Sequence, residues 1–328
     1  MTNRIKREDI QHIAPDMRRI GLIEKFLLPP FDPAPNKPTV DLCRALLPGK
    51  WLGRHTLCRE KMIPRMDGGK MRILVIRPRE SRPDGPGILW IHGGGYGTGV
   101  PEQDYAYIDT FCSLGNCTVV APDYRLSYEA PFPAALNDCY SALLWLKQNA
   151  ESLGARANQL FVGGDSAGGG LTAAVTLYAR DRGEVAVAYQ MPFYPMLDDR
   201  MITPSSRNNR MPVWNSEFNE RAWRAYLGPL YGSEHVPAYA APSRATNYES
   251  LPPTCTFVGS VDPFCDETAL YVKALQNAGV PVRFRVFQGC YHAFDMMAPL
   301  SVEAKQARAF YTACFMEALA GCFAENRR

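Results

Sequence analysis

No stretch of this 328-residue sequence is apolar for long enough to cross a bilayer. The best early run, Ile20-Gly21-Leu22-Ile23, is broken at once by Glu24 and Lys25, whereas a span needs about 18 uncharged residues or more. The opening residues, Met1 to Asp9, mix charges and have no apolar core behind them, so neither a signal peptide nor an anchor is read there. Charge of one sign is not in excess: 36 Lys and Arg stand against 33 Asp and Glu. That near balance gives no reason to expect nucleic acid or an anionic membrane surface as a partner. There is no Cys-x-x-Cys, and the one close pair, Cys112 and Cys117, has no His or Cys cluster to complete a zinc site. The ten cysteines sit mostly in apolar stretches, which points to reduced thiols filling a core and to a cytoplasmic location. Repeats and low-complexity tracts are also lacking, so one large α/β domain with a smaller companion is the expectation for this length.

Residues 1–28 show helical spacing, with Ile10, Ile13, Met17, Ile20 and Ile23 three or four apart. The stretch 29–38 contains five prolines and is expected to run extended, as a strap to the body. Beyond residue 55 the pattern turns regular. Strands are expected at 56–62, 71–78, 87–91, 117–121, 159–163, 187–193, 254–260 and 282–287, with helices at 102–115, 133–150, 167–182, 264–278 and 302–322. The first two strands, separated by Asp67-Gly68-Gly69, read as an antiparallel hairpin. The later alternation predicts a mostly parallel eight-stranded sheet flanked by helices. About sixty residues between the sixth and seventh strands lack a strand signal and are expected to hold an inserted helical element capped at Asn215 or Ser216. Its aromatic residues, Trp214, Phe218, Trp223 and Tyr226, either line a ligand pocket or pack the insertion onto the body.

The strongest motif is Gly164-Asp165-Ser166-Ala167-Gly168, directly after an apolar strand and before a helix of small residues. A G-x-S-x-G in that context is a nucleophile elbow: the chain turns sharply at the serine, and the flanking glycines let strand and helix approach without Cβ clashes. The helix N-terminus then directs partial positive charge to where an oxyanion develops. A second motif, His92-Gly93-Gly94-Gly95-Tyr96-Gly97, follows the strand ending at Ile91. Its bare backbone N–H groups suit an oxyanion loop. A phosphate cradle is the competing reading, but neither G-x-x-x-x-G-K-[ST] nor G-x-G-x-x-G is present. His92 lies at the loop's entrance and ahead of the serine, where bracing the loop is the better reading.

A nucleophilic serine needs a base, and the base an orienting carboxylate. Of the five histidines, only His292 follows a late strand. Asp262, after the strand Thr254–Val258, stands at another strand end, while Asp266 and Glu267 fall in the first turn of the next helix, a common place for acidic residues. The order Ser…Asp…His is that of the α/β-hydrolases.

These motifs, together with Asp123-Tyr124-Arg125-Leu126-Ser127-Tyr128-Glu129-Ala130-Pro131-Phe132-Pro133-Ala134-Ala135, resemble the hormone-sensitive-lipase-like esterases and lipases, a group that includes the arylacetamide deacetylases. The resemblance runs from about residue 70 to the C-terminus. It implies an α/β-hydrolase fold with a helical cap: residues 1–50 and 200–245 form the cap, 51–199 and 246–328 the catalytic domain. It implies Ser166 as nucleophile, His292 as general base and acid, and Asp262 as its partner. The oxyanion hole would be the N–H groups of Gly94, Gly95 and Ala167, and Tyr96, Trp214, Phe218 and Trp223 are candidate pocket residues. No metal or organic cofactor is implied. Two positions depart from the family pattern: Ser127-Tyr128 replaces Ala-Pro, and Ala293 stands where glycine is common.

The expected activity is hydrolysis of short- to medium-chain carboxylic esters through an acyl-enzyme, with a small-molecule ester as the partner and no stable membrane association. An amidase, peptidase or deacetylase would use the same three residues, and a non-hydrolytic receptor is the rival from another class, although such receptors typically lack one of them. The strand at 282–287 is expected at a sheet edge, through which the family permits a homodimer.

Overall fold

The computed structural model describes residues 7–27, 31–46, 53, 55–80 and 84–324. Its centre is one eight-stranded sheet: β1 (Thr56–Pro64), β2 (Lys70–Pro78), β3 (Gly85–Ile91), β4 (Thr118–Pro122), β5 (Ala155–Asp165), β6 (Tyr189–Phe193), β7 (Thr254–Gly259) and β8 (Val282–Phe287). The spatial order is β1-β2-β4-β3-β5-β6-β7-β8. β1 pairs antiparallel with β2, and β2 antiparallel with β4; every other pairing is parallel. The hairpin, the strand count and the edge position of β8 are those expected from the sequence.

The described residues form ten α-helices: α1 (Arg7–Gln11), α2 (Arg18–Leu27), α3 (Pro33–Leu46), α4 (Tyr105–Gly115), α5 (Ala134–Asn149), α6 (Ala167–Arg182), α7 (Ser216–Leu227), α8 (Cys265–Asn277), α9 (Phe294–Met297) and α10 (Val302–Gly321). Strand alternation sorts the core into two layers. Ile73, Val75, Leu89, Ile91 and Val120 join the layer under α5 and α6. Their neighbours in sequence, Leu74, Ile76, Ile88, Trp90 and Val119, join the layer under α4 and α10. All seven residues of β3 are buried, as a central parallel strand requires.

One expectation needs correction. The proline-rich stretch is not extended throughout, because α3 begins at Pro33 and carries Pro38 inside it. Pro33 and Pro35 fall in the first turn, where the N–H they lack has no intrahelical acceptor, so only Pro38 removes a helical hydrogen bond. Prolines 29 and 30 lie outside the described residues. The insertion between β6 and β7 holds the expected helix, α7, capped at Asn215, with two short 3₁₀ turns at Gly228–Leu230 and Pro242–Arg244. Side chains supply the hydrogen bonds that regular structure would have provided. Glu267 accepts from Leu197 N–H, Asp266 from Ser205 N–H, and Asp199 pairs with Arg244.

All ten cysteines are free thiols, and Cys112, Cys117, Cys139, Cys255, Cys290 and Cys314 are buried. Among the described residues, no helix is long and apolar enough to cross a membrane.

Candidate active site

Four loops meet at the C-terminal rim of the parallel strands, the edge where open α/β sheets place their sites. The glycine loop follows β3, Ser166 follows β5, Asp262 follows β7 and His292 follows β8.

Ser166 sits between β5 and α6 with φ 56° and ψ −119°, in the left-handed half of the map that a non-glycine residue enters only at a cost. Surrounding backbone holds it there: its N–H donates to Phe193 O, and its carbonyl accepts from Met196 and Gly170 N–H. The glycines on either side are required by close approach. A Cβ on Gly164 would lie 2.3 Å from Ile91 O, and one on Gly168 would lie 2.0 Å from the same atom. The turn is thus wedged against the end of β3, a contact only hydrogen side chains permit.

His292 Nε2 lies 2.7 Å from Ser166 Oγ, and His292 Nδ1 lies 2.8 Å from Asp262 Oδ2. The second oxygen of Asp262 accepts from Phe264 N–H at 2.9 Å, which fixes the carboxylate. All three side chains are buried. Tyr194 and Phe264 meet the imidazole edge-on at 5.1 and 5.0 Å and hold its plane. Ala293, the departure from glycine, adopts φ 54°, which explains why glycine suits that position.

The glycine loop doubles back so that Gly97 and Thr98 donate to Gly94 O, while Gly93 N–H donates to Asp165 Oδ1 at 3.0 Å. Gly94 has φ 118°, and a Cβ there would meet Thr98 O at 2.2 Å. The N–H groups of Gly94, Gly95 and Ala167 are left without an acceptor among the described residues. His92 braces this loop as expected. It is buried, stacks on Tyr124 at 4.3 Å and donates from Nδ1 to Gly93 O, while Tyr124 donates to the carbonyl of His92. Burial lowers its pKa to about 4, so the ring is neutral at physiological pH.

The candidate pocket residues separate. Trp214 stands over the loop, its ring 6.2 Å from that of His292 and in the space that a Cβ on Gly95 would need. Phe218 lies beside it at 6.1 Å. Tyr96 stacks on Tyr226 at 3.9 Å and donates to Met196 O; Trp223 packs against both rings and is fully buried. Sequence reasoning did not single out Phe31, whose ring meets Trp214 edge-on at 4.8 Å above Gly95. An isolated phenylalanine between prolines carries no periodic signal that would reveal it. Arg221 of α7 donates to Phe31 O, and Lys25 of α2 lies over Phe218, so the N-terminal helices and the insertion meet above Ser166.

The family model described as the alpha/beta hydrolase fold matches residues 88–296, well over half of the chain. The chain belongs to this family. It is similar to esterase LipI of Mycobacterium tuberculosis, 32% identical over 212 residues that cover 64% of this chain and 66% of that protein. Carboxylesterase NlhH of the same organism is 30% identical over 238 residues, covering 71% and 74%. Among solved structures, a bacterial heroin esterase superposes with a TM-score of 0.86 at 33% identity, covering 94% of this chain and 99% of that one. The expected hormone-sensitive-lipase-like resemblance is upheld by these esterases.

Proposed function

We propose that this carboxylic ester hydrolase works through Ser166 as nucleophile, His292 as general base and then acid, and Asp262 as the group that holds the imidazole. The observation that carries the reading is the unbroken Ser166–His292–Asp262 hydrogen-bond chain at 2.7 and 2.8 Å. Ser166 Oγ attacks the ester carbonyl while Nε2 takes its proton, and the imidazolium gives that proton to the leaving alkoxide. Water then attacks the acyl-enzyme with His292 as base, and Ser166 is restored. The N–H groups of Gly94, Gly95 and Ala167 receive the tetrahedral oxyanion; their lack of acceptors supports this role.

Residues 1–50 and 200–245 are read as a cap over a catalytic body of 51–199 and 246–328. Trp214, Phe31 and Phe218 form its apolar wall, while Tyr96 and Trp223 support the loop from inside. That aromatic cover favours short- to medium-chain esters of uncharged alcohols. The open edge of β8 is proposed as a homodimer contact, and the free thiols support a cytoplasmic location.

Ser166→Ala is expected to lower kcat on nitrophenyl butyrate by about four to six orders of magnitude. An organophosphonate should add one adduct to the wild type, at Ser166, and none to the variant. Retained turnover in the variant rejects the assignment. Faster turnover on the longest acyl chains than on acetyl or butyryl would reject the chain-length reading, and matched amides more reactive than esters would favour the amidase.

A further inference from the structure

Behind the glycine loop lies a group of acidic side chains that the reaction does not use. Asp165, the residue before Ser166, accepts the Gly93 N–H and approaches so closely that a Cβ on Gly93 would lie 2.4 Å from Asp165 Oδ2. Asp104, at the end of the turn that leads into α4, accepts from Trp90 Nε1 through Oδ2 at 2.8 Å. Its other oxygen, Oδ1, is buried and has no donor. The buried carboxyl groups of Asp104 and Asp165 interact with each other, and the Gln103 side chain also faces Asp104.

Two carboxylates cannot make that contact bare. Each lone pair would face another in a dry environment, with no cation to offset two charges. Among the described residues, the groups named as acting on either carboxyl include no Lys or Arg. His292 and Asp295 face the pair from the loop after β8 and from α9; Tyr107 faces it from α4, and Tyr124 and Tyr194 from the loops after β4 and β6. Tyr107 donates to Asp295 and hydrogen-bonds to Tyr194, and Tyr124 donates to His92 O, so the tyrosine hydroxyls are committed elsewhere. Among the described residues, no group of three or more His, Cys, Asp or Glu side chains is arranged to hold a metal ion, this cluster included.

We infer that Asp104 and Asp165 share one proton across their contact, and that this acid–carboxylate pair is a positioning device that holds Gly93, and through it the oxyanion N–H groups of Gly94 and Gly95, in register with Ser166. The hydroxyl of the protonated carboxyl donates to its partner, which gives Asp104 Oδ1 its missing hydrogen bond and leaves Asp165 Oδ1 free to accept from Gly93. Burial accordingly raises both groups, Asp104 to about 6 and Asp165 well above the ordinary carboxylate range. Neither residue touches substrate. The inference rests on the oxyanion-loop reading of the preceding subsection, and its test separates the two.

Asp104→Asn replaces the shared proton with an amide: Nδ2 donates to Asp165 and Oδ1 accepts from Trp90. Asp104→Leu keeps similar bulk and removes both functions. In infrared difference spectra at pH 7.5, wild type minus Asp104→Asn should show a carboxylic-acid C=O band. At that pH Asp104→Asn should keep kcat within about threefold of wild type, whereas Asp104→Leu should lose about tenfold or more in kcat with little change in KM. As pH rises, loss of the shared proton should lower wild-type kcat before it lowers that of Asp104→Asn. Absence of the carboxylic-acid band, or equal losses in the two variants, overturns the pair. Failure of the phosphonate to label wild-type Ser166 would instead overturn the catalytic reading and leave the infrared result standing.

Discussion

Below Ser166, side chains are withdrawn so that backbones can meet; above it, side chains do all the meeting. Added Cβ atoms on Gly93, Gly94, Gly164 and Gly168 would each fall between 2.0 and 2.4 Å from an oxygen atom. In the cover, Phe31, Trp214 and Phe218 touch through ring edges, while Phe26 and Leu27 on the same N-terminal segment remain 87% and 69% exposed. The floor is specified by steric exclusion, where one methyl group is too many. The cover is specified by apolar contact, where several side chains of similar bulk serve. The floor is therefore the part least tolerant of change, and the cover the part most tolerant of it.

The sharpest way to break this contrast is to add a methyl group to the floor. Gly168→Ala, whose Cβ would sit 2.0 Å from Ile91 O and 2.6 Å from His92 O, should cost on the order of 3 kcal/mol or more, read as a lowered urea midpoint. A near-normal midpoint would show that the crossing relaxes. Protonation of the floor is next. Burial lowers the folded-state pKa of His92 from 6.5 to about 4, so the unfolded chain binds more protons between those values. Stability from this group is therefore complete above about pH 6.5 and lost as pH falls toward 4, on the order of 3 kcal/mol in all. Thermal unfolding of His92→Gln should show a shallower decline across that window than wild type.

Changes in the cover should act on selectivity instead. Trp214→Leu opens the space beside Gly95 and His292, and is expected to shift the butyryl-to-octanoyl kcat/KM ratio about tenfold toward the longer chain. An unchanged ratio would remove Trp214 from the pocket wall. The smallest effect is expected where the floor carries a residue that its conformation disfavours: Ala293→Gly at φ 54° should raise stability by about 1 kcal/mol and leave kcat close to wild type.

Much of the floor was legible beforehand because its requirements are local. A glycine needed for close approach or positive φ, a strand before a serine and a helix after it are all written within a few residues of one another. The eight strands and the Ser…Asp…His order followed in the same way. The cover was legible in its place along the chain and in α7 with its Asn215 cap, but not in the rest. Phe31 carries no periodic signal, α3 tolerates prolines because two of them fall in its first turn, and most of the insertion is held by side-chain hydrogen bonds that no spacing rule encodes.

The sequence by itself determined the sheet, the strained serine turn and the chemical identity of the groups that meet at the sheet's rim, because hydrophobic alternation and glycine placement act over short separations. Only the tertiary structure decided which aromatic rings face Ser166 and which support the loop from behind. The contact between Asp104 and Asp165 was likewise beyond any motif. Each carboxyl is unremarkable in its own segment, and the need to share a proton arises only when folding buries them against each other.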